Sequence, residues 1–223
     1  MTCVHGLRRG DTLADCGRRP SSSSADAPEP ASGTRSILGP VKIVVSGTHA
    51  SGKSTLIADF ALRHPEFTVL GELFDLVEDA GDVPSSTMFA AQLRLSADRL
   101  LDESDDGDVI AERGPLDFLA YLLASAELAG TDLDTGFLER ATSRTAAALQ
   151  TVDVLVVLPL TPNDGIHVGA DEDLELRTAM NAVLLDLVDE PDLIADHVTV
   201  AEITGDSSDR LAALEALVAS QQR

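Results

Sequence analysis

Five residues of this chain have the chemistry to work as one set: Lys53, Ser54, Glu72, Glu112 and Arg113, which supply an amine, a hydroxyl, two carboxylates and a guanidinium. Phosphoryl transfer asks for these types, because it depends on neutralising charge and aligning two oxygens more than on covalent chemistry. Lys53 and Ser54 close the run Gly47-Thr48-His49-Ala50-Ser51-Gly52-Lys53-Ser54, which fits G-x-x-x-x-G-K-[ST], the phosphate-binding P-loop of nucleoside-triphosphate enzymes. Its two glycines admit backbone conformations closed to other residues, so successive N–H groups through Thr55 can curl around a pyrophosphate. Lys53 then reaches the β and γ phosphates. Ser54 opens the following helix, offers its hydroxyl to Mg²⁺ and sits at the positive end of the helix dipole. The plainer alternative is a glycine-rich turn before an ordinary helix.

The elements around the loop decide whether the other three residues can join it. Val41 to Ser46 is an apolar run of the kind that lies centrally in a parallel sheet, and Lys53 to Arg63 is the crossover helix, ended near His64-Pro65. Phe67 to Gly71 forms a second strand and leaves Glu72 at its carboxyl end, where open α/β sheets place ligand groups. A helix from Pro84 to Leu101 keeps Gln92, Arg94 and Arg99 off its apolar stripe, with Gln92 and Arg99 as candidate contacts to an acceptor. Val109 to Ala111 is a short strand that delivers Glu112-Arg113-Gly114-Pro115, and helices follow over Leu116 to Ala129 and Thr135 to Gln150. Val152 to Leu158 is the most strand-like run. The polar, glycine-bearing segment 161–177 has the character of a lid leading into a helix marked by Leu176, Met180, Val183 and Leu187. A last strand, Val198 to Ile203, and a last helix, Asp206 to Ser220, complete the alternation. The pattern predicts an α/β fold: a P-loop, doubly wound parallel sheet of about five strands flanked by helices over residues 40–223.

Each side chain has a functional and a structural reading. Arg113 is a second phosphate cation or the partner of a structural ion pair. Glu112 meets the metal through water or orients Arg113. Glu72 is a candidate base toward the acceptor hydroxyl, or an ordinary acid at a helix start. Asp117 reads as a helix-start acid rather than a catalytic group. For His49, inside the loop, the backbone N–H matters more than the ring.

The 223 residues leave room for one α/β domain with a sizeable core. Residues 1–39, with Arg pairs, four consecutive serines and several prolines, lack apolar periodicity and are expected to be a disordered tail. The formal charge is −22, and the four acids and five arginines of residues 1–40 leave 34 acidic against 11 basic residues in the rest. No basic stripe is available for a nucleic-acid groove or an anionic membrane, so neither is expected as a partner. There is no transmembrane-length apolar run and no signal-peptide core, which predicts a cytoplasmic protein. Cys3 and Cys16 are too few for a zinc set.

GTHASGKST, a Glu after the second strand and ERGPLDFLAY after the third together resemble the AAA-type P-loop ATPase/kinase domain associated with NAD metabolism, the group that includes the nicotinamide riboside kinase domain. The resemblance covers residues 41–223. It implies a nucleoside-kinase-like fold that uses ATP and Mg²⁺ to phosphorylate a small hydroxyl-bearing acceptor. One departure stands out: such proteins often carry Asp-Gly-x-Arg in the lid, whereas this chain has Asp164-Gly165-Ile166-His167. Arg177 is the candidate replacement, against its reading as a solvated or ion-paired helix residue.

Three function classes follow: a small-molecule kinase with a nucleoside-like acceptor, an ATPase or nucleotide-driven switch acting on a protein partner, and a binding module that keeps only the fold. The sequence has no N-K-x-D guanine signature and no L-S-G-G-Q transporter signature. The acceptor and the oligomeric state are not encoded in any local spacing.

Overall fold

Short β-branched runs alternate with amphipathic helices, and in the computed structural model, which describes residues 39–72, 86–102, 107–161 and 173–221, each becomes the element its pattern predicts. The strands are β1 (Lys42–Ser46), β2 (Thr68–Leu70), β3 (Val109–Glu112), β4 (Val154–Val157) and β5 (Thr199–Glu202). The helices are α1 (Lys53–Arg63), α2 (Ser86–Leu101), α3 (Pro115–Ala129), α4 (Thr135–Leu149), α5 (Leu174–Val188) and α6 (Ser207–Gln221). The strands pair in the order β2-β3-β1-β4-β5, every pair parallel. The result is a five-stranded parallel sheet flanked by helices. Residues 1–38 of the expected tail and 162–172 of the lid segment, His167 among them, fall outside the described residues.

Strict alternation along the central strands shows why the sheet is covered on both faces. Ile43 and Val45 of β1, with Val154 and Val156 of β4, pack with Leu56, Phe60 and Leu214 beneath α1 and α6. Val44, Leu155 and Val157 point the other way, into a core shared with α2, α3, α4 and α5. Fully burying each such aliphatic side chain contributes about 1.5–3 kcal/mol. Helix α3 lies within that second layer, and from Pro115 to Leu122 every residue is buried, which explains its nearly continuous apolar sequence.

The register fixes the site. Val45 of β1 pairs with Glu112 of β3, and Ser46 with Val157 of β4, so β1, β3 and β4 end level with one another. The chain returns to β2 on one side of β1 and to β4 on the other, a topological switch point, and Gly47, Arg113 and Leu158 all leave the sheet at that edge.

Candidate active site

Gly47 leaves β1 at a φ of 151°, and a Cβ there would stand 2.8 Å from Ser51 Oγ and 2.9 Å from the Leu158 carbonyl oxygen. No other residue fits so closely folded a loop at this position. Gly52, at a φ of 89°, makes the left-handed step into α1, and Ala50 takes a left-handed conformation between them.

Carbonyl direction decides what such a loop can bind, and here each carbonyl from Gly47 to Ser51 accepts from a cationic side chain. Arg113 Nη1 donates to Gly47 at 3.0 Å and Lys53 Nζ to Thr48 at 2.7 Å. Arg177 of α5 donates from Nε to His49 at 2.9 Å and from Nη2 to Ala50 at 3.0 Å. Arg210 of α6 donates from Nη1 to Ser51 at 2.7 Å, and the Gly52 carbonyl takes the first helical bond, from Leu56 N at 3.1 Å. With these oxygens occupied by four cations from four elements, the peptide dipoles of the loop are held in one sense and an anion meets no competing carbonyl there.

Beneath the loop the anchor is Asp117, in the first turn of α3 and fully buried. Its carboxylate accepts from Ser46 Oγ at 2.7 Å, Gly47 N at 2.8 Å and Gly114 N at 2.9 Å. It is the helix-start acid expected from the sequence and, beyond that expectation, a pin between α3 and the first residue of the loop. Gly114 permits this approach, since a Cβ there would lie 2.9 Å from Val44 Cγ1. One turn on, Tyr121 presents its hydroxyl to His49 N at 3.1 Å, His49 Nδ1 at 2.7 Å and Thr48 Oγ1 at 3.3 Å. Its oxygen accepts from the His49 amide and shares a further hydrogen bond with Nδ1 of the same residue. The His49 ring, expected to matter less than its backbone, therefore has a defined partner and stacks on Tyr121 at a centroid distance of 5.5 Å.

The carboxylates fall into two pairs. Ser54 Oγ donates to Glu112 Oε1 at 2.7 Å, which brings together the two groups read as metal ligands. Among the described residues there is no cluster of three or more His, Cys, Asp or Glu that could hold a metal. One hydroxyl and one carboxylate beside a phosphate cradle fit Mg²⁺, which keeps several waters and takes its remaining ligands from nucleotide phosphates. Arg113, at a left-handed φ of 64°, makes an ion pair through Nε with Glu72 Oε1 while Nη1 holds the loop. That is the structural reading of Arg113. One guanidinium thus links Glu72 at the end of β2 to Gly47.

The electrostatics follow from burial. Lys53 is 3% exposed, and its pKa is pulled down to about 7, first by desolvation and then by the charge of Arg113, against the opposing pull of Asp117, Glu72 and Glu112. Burial acts on Arg113 in the same downward direction, but Tyr121, Glu72 and Asp117 outweigh it and its pKa ends above the ordinary arginine value.

Two residues weighed for the acceptor part company. Arg99 is tied by Nη1 to the Gly71 carbonyl at 2.9 Å, so it braces the end of β2. Gln92 is fully buried on α2, and neither its Oε1 nor its Nε2 has a hydrogen-bond partner among the described residues. It lies one turn from Phe89, whose ring stacks on Tyr121 at 4.8 Å. The sequence reading missed Tyr121 and Arg210 altogether. The i, i+4 step from Asp117 to Tyr121 puts both on one face of α3 and could have flagged the first; nothing local marks Arg210, 159 positions from its partner.

No family model matches the chain, and no curated protein matches it in sequence. Solved structures do match. Deoxyadenosine kinase from M. mycoides, with dCMP and a flexible dCDP bound, aligns with a TM-score of 0.58 at 13% identity, over 81% of this chain and 100% of that one. The same enzyme with dATP bound gives 0.52 at 12% identity, over 80% and 99%. Thymidylate kinase from Candida albicans gives 0.56 at 15% identity, over 83% and 94%. The shared feature is the fold of the P-loop kinases.

Proposed function

We propose that this protein is an ATP-dependent phosphotransferase that moves the γ-phosphoryl group of Mg-ATP to a hydroxyl of a small, nucleoside-like acceptor. The observation that carries the reading is Glu72, a carboxylate held beside the P-loop by a buried arginine that bonds the loop itself. In an ATPase the same carboxylate would take its proton from water, so dependence of turnover on an acceptor separates the two readings. The nucleoside and nucleotide kinases of like fold support the same class, and the resemblance to NAD-metabolism kinases puts nicotinamide riboside among the acceptors to be tried.

In this reading the loop N–H groups and Lys53 bind the β and γ phosphates. Ser54 and Glu112 would hold Mg²⁺, which neutralises phosphate charge when bound. Glu72 takes the proton of the acceptor hydroxyl as its oxygen attacks the γ phosphorus; the bond from that phosphorus to the β–γ bridging oxygen breaks, and ADP leaves. Arg113 keeps Glu72 aimed, and Arg177 and Arg210 keep the loop carbonyls turned away. The unpartnered amide of Gln92 is the candidate recognition group for the acceptor, since it offers one donor and one acceptor edge.

The test is ADP release by purified protein with Mg-ATP, alone and with nucleosides, nicotinamide riboside, sugars and aminocyclitols in turn. Acceptor-dependent ADP with a phosphorylated product is the expected result. Equal release without any acceptor would instead identify an ATPase or a nucleotide-driven switch.

A further inference from the structure

A cavity of about 830 Å³ lies between α2 and α4 and shares no lining residue with the P-loop. On α2 it is lined by Thr87, Ala90, Ala91 and Arg94, which recur at helical spacing on the side of the helix opposite Phe89 and Gln92. On α4 the matching stripe is Phe137, Ala141 and Arg144, with Arg140 beside it. The alanines keep the floor open, and Leu93 and Phe137 make it apolar. Its size is that of a small-molecule site, typically about 300–1,000 Å³. The stripe from Thr87 to Arg94 covers seven residues of rise, about 10 Å, enough for one compact ligand but too short for a docked helix of several turns.

The charge on this rim is the unusual part. The chain has 38 acidic residues against 16 lysines and arginines, and four of those cations are committed to the P-loop carbonyls. Three more guanidiniums, Arg94, Arg140 and Arg144, meet at this one cavity, where Glu139 is the single lining carboxylate among the described residues. Neither Arg94 nor Arg140 makes an ion pair among the described residues, despite the excess of acid around them. Arg144 pairs through Nη2 with Asp98, yet its Nε is buried with no hydrogen-bond partner among the described residues. Guanidinium groups are planar forks suited to carboxylate and phosphate oxygens, and an apolar floor beneath them favours a ligand with one charged end.

We propose that the cavity between α2 and α4 is a binding site for a small organic anion, a carboxylate or phosphate ester carried on an apolar or aromatic body. The anion lies between Arg94 and Arg140, and the body covers Ala91, Ala141 and Phe137. The site is separate from the nucleotide site, so it stands whether or not the proposed phosphotransfer does.

The probe is 8-anilino-1-naphthalenesulfonate, titrated by fluorescence and calorimetry into the full chain. Saturable binding of one equivalent is expected, with the uncharged N-phenyl-1-naphthylamine at least tenfold weaker. The double variant Arg94→Met, Arg140→Met keeps the apolar stems and is expected to weaken the sulfonate at least tenfold with an unchanged Tm; Ala91→Trp, which fills the floor, is expected to abolish binding. Displacement by phenyl phosphate but not benzoate assigns phosphate esters, and the reverse assigns carboxylates. Equal affinity in the double variant, equal binding of the neutral probe, displacement by neither competitor, or loss of probe binding in Lys53→Met, which would put the probe in the nucleotide site, would each overturn the proposal.

Discussion

Lys53 carries an amine whose burial costs the unliganded protein stability and primes it for an anion. Its folded pKa, about 7, is below the usual 10.5, so the unfolded chain binds the extra proton between those values and stability rises with pH through that window. Lys53→Met removes the buried charge and should raise Tm, most at pH 6 and progressively less toward pH 10, as scanning calorimetry can follow. Nucleotide phosphates reverse the penalty by restoring an opposite charge. ATP binding at pH 8 is therefore expected to take up close to one proton, and the ATP Kd to increase about tenfold per pH unit above 7. Calorimetry in buffers of different ionisation enthalpy measures both, and uptake unchanged in Lys53→Met would assign the proton elsewhere. For Glu72, Gln keeps the shape and removes the basicity: Glu72→Gln should still bind ATP while transfer to the acceptor falls at least a hundredfold, by about 3 kcal/mol in the barrier. Unaltered transfer would remove Glu72 as the base.

Helix α3 acts at the next scale, because Asp117 and Tyr121 on one of its faces set where the loop begins and how His49 lies. Asp117→Asn puts an amide donor against Gly47 N or Gly114 N, and with charge-assisted bonds worth about 1.5–3 kcal/mol each, a loss of that order in stability is expected from denaturant titration. Arg177→Met and Arg210→Met free loop carbonyls rather than substrate contacts, so each should raise the ATP Kd about tenfold or more with little change in Tm, and exogenous guanidinium should partly restore Arg177→Gly. The elements themselves were legible from sequence, down to helix α1 ending at Arg63, because hydrophobic period, proline and glycine are local signals. The P-loop was legible for the same reason. What escaped was set by contact through space: Arg210 reaches a backbone oxygen, which leaves no trace in residue type or spacing, and Arg113 takes a left-handed φ that sequence offers no reason to expect outside glycine. Asp117 was legible in one of its two roles, since capping is local and pinning β1 is not.

Over the whole molecule the charge of −22 is a self-repulsion that salt screens. Tm should rise as KCl is raised from about 0.05 to 0.5 M, where the Debye length shrinks below about 5 Å. Deleting residues 1–38, all before β1, is expected to leave the ATP Kd and the turnover rate unaltered; a large loss of either would give the N-terminal segment a role. Among the described residues no helix is long and apolar enough to cross a membrane. The capping of the loop also orders events in time. A ribosome makes the Gly47–Ser54 stretch first, yet the guanidinium that occupies the Ser51 oxygen belongs to α6, 159 positions further along. A nascent chain that stops short of Arg210 has the consensus but an unfinished cradle, so triphosphate capture waits until α6 has been made. An incomplete translation product would carry the motif without sequestering nucleotide.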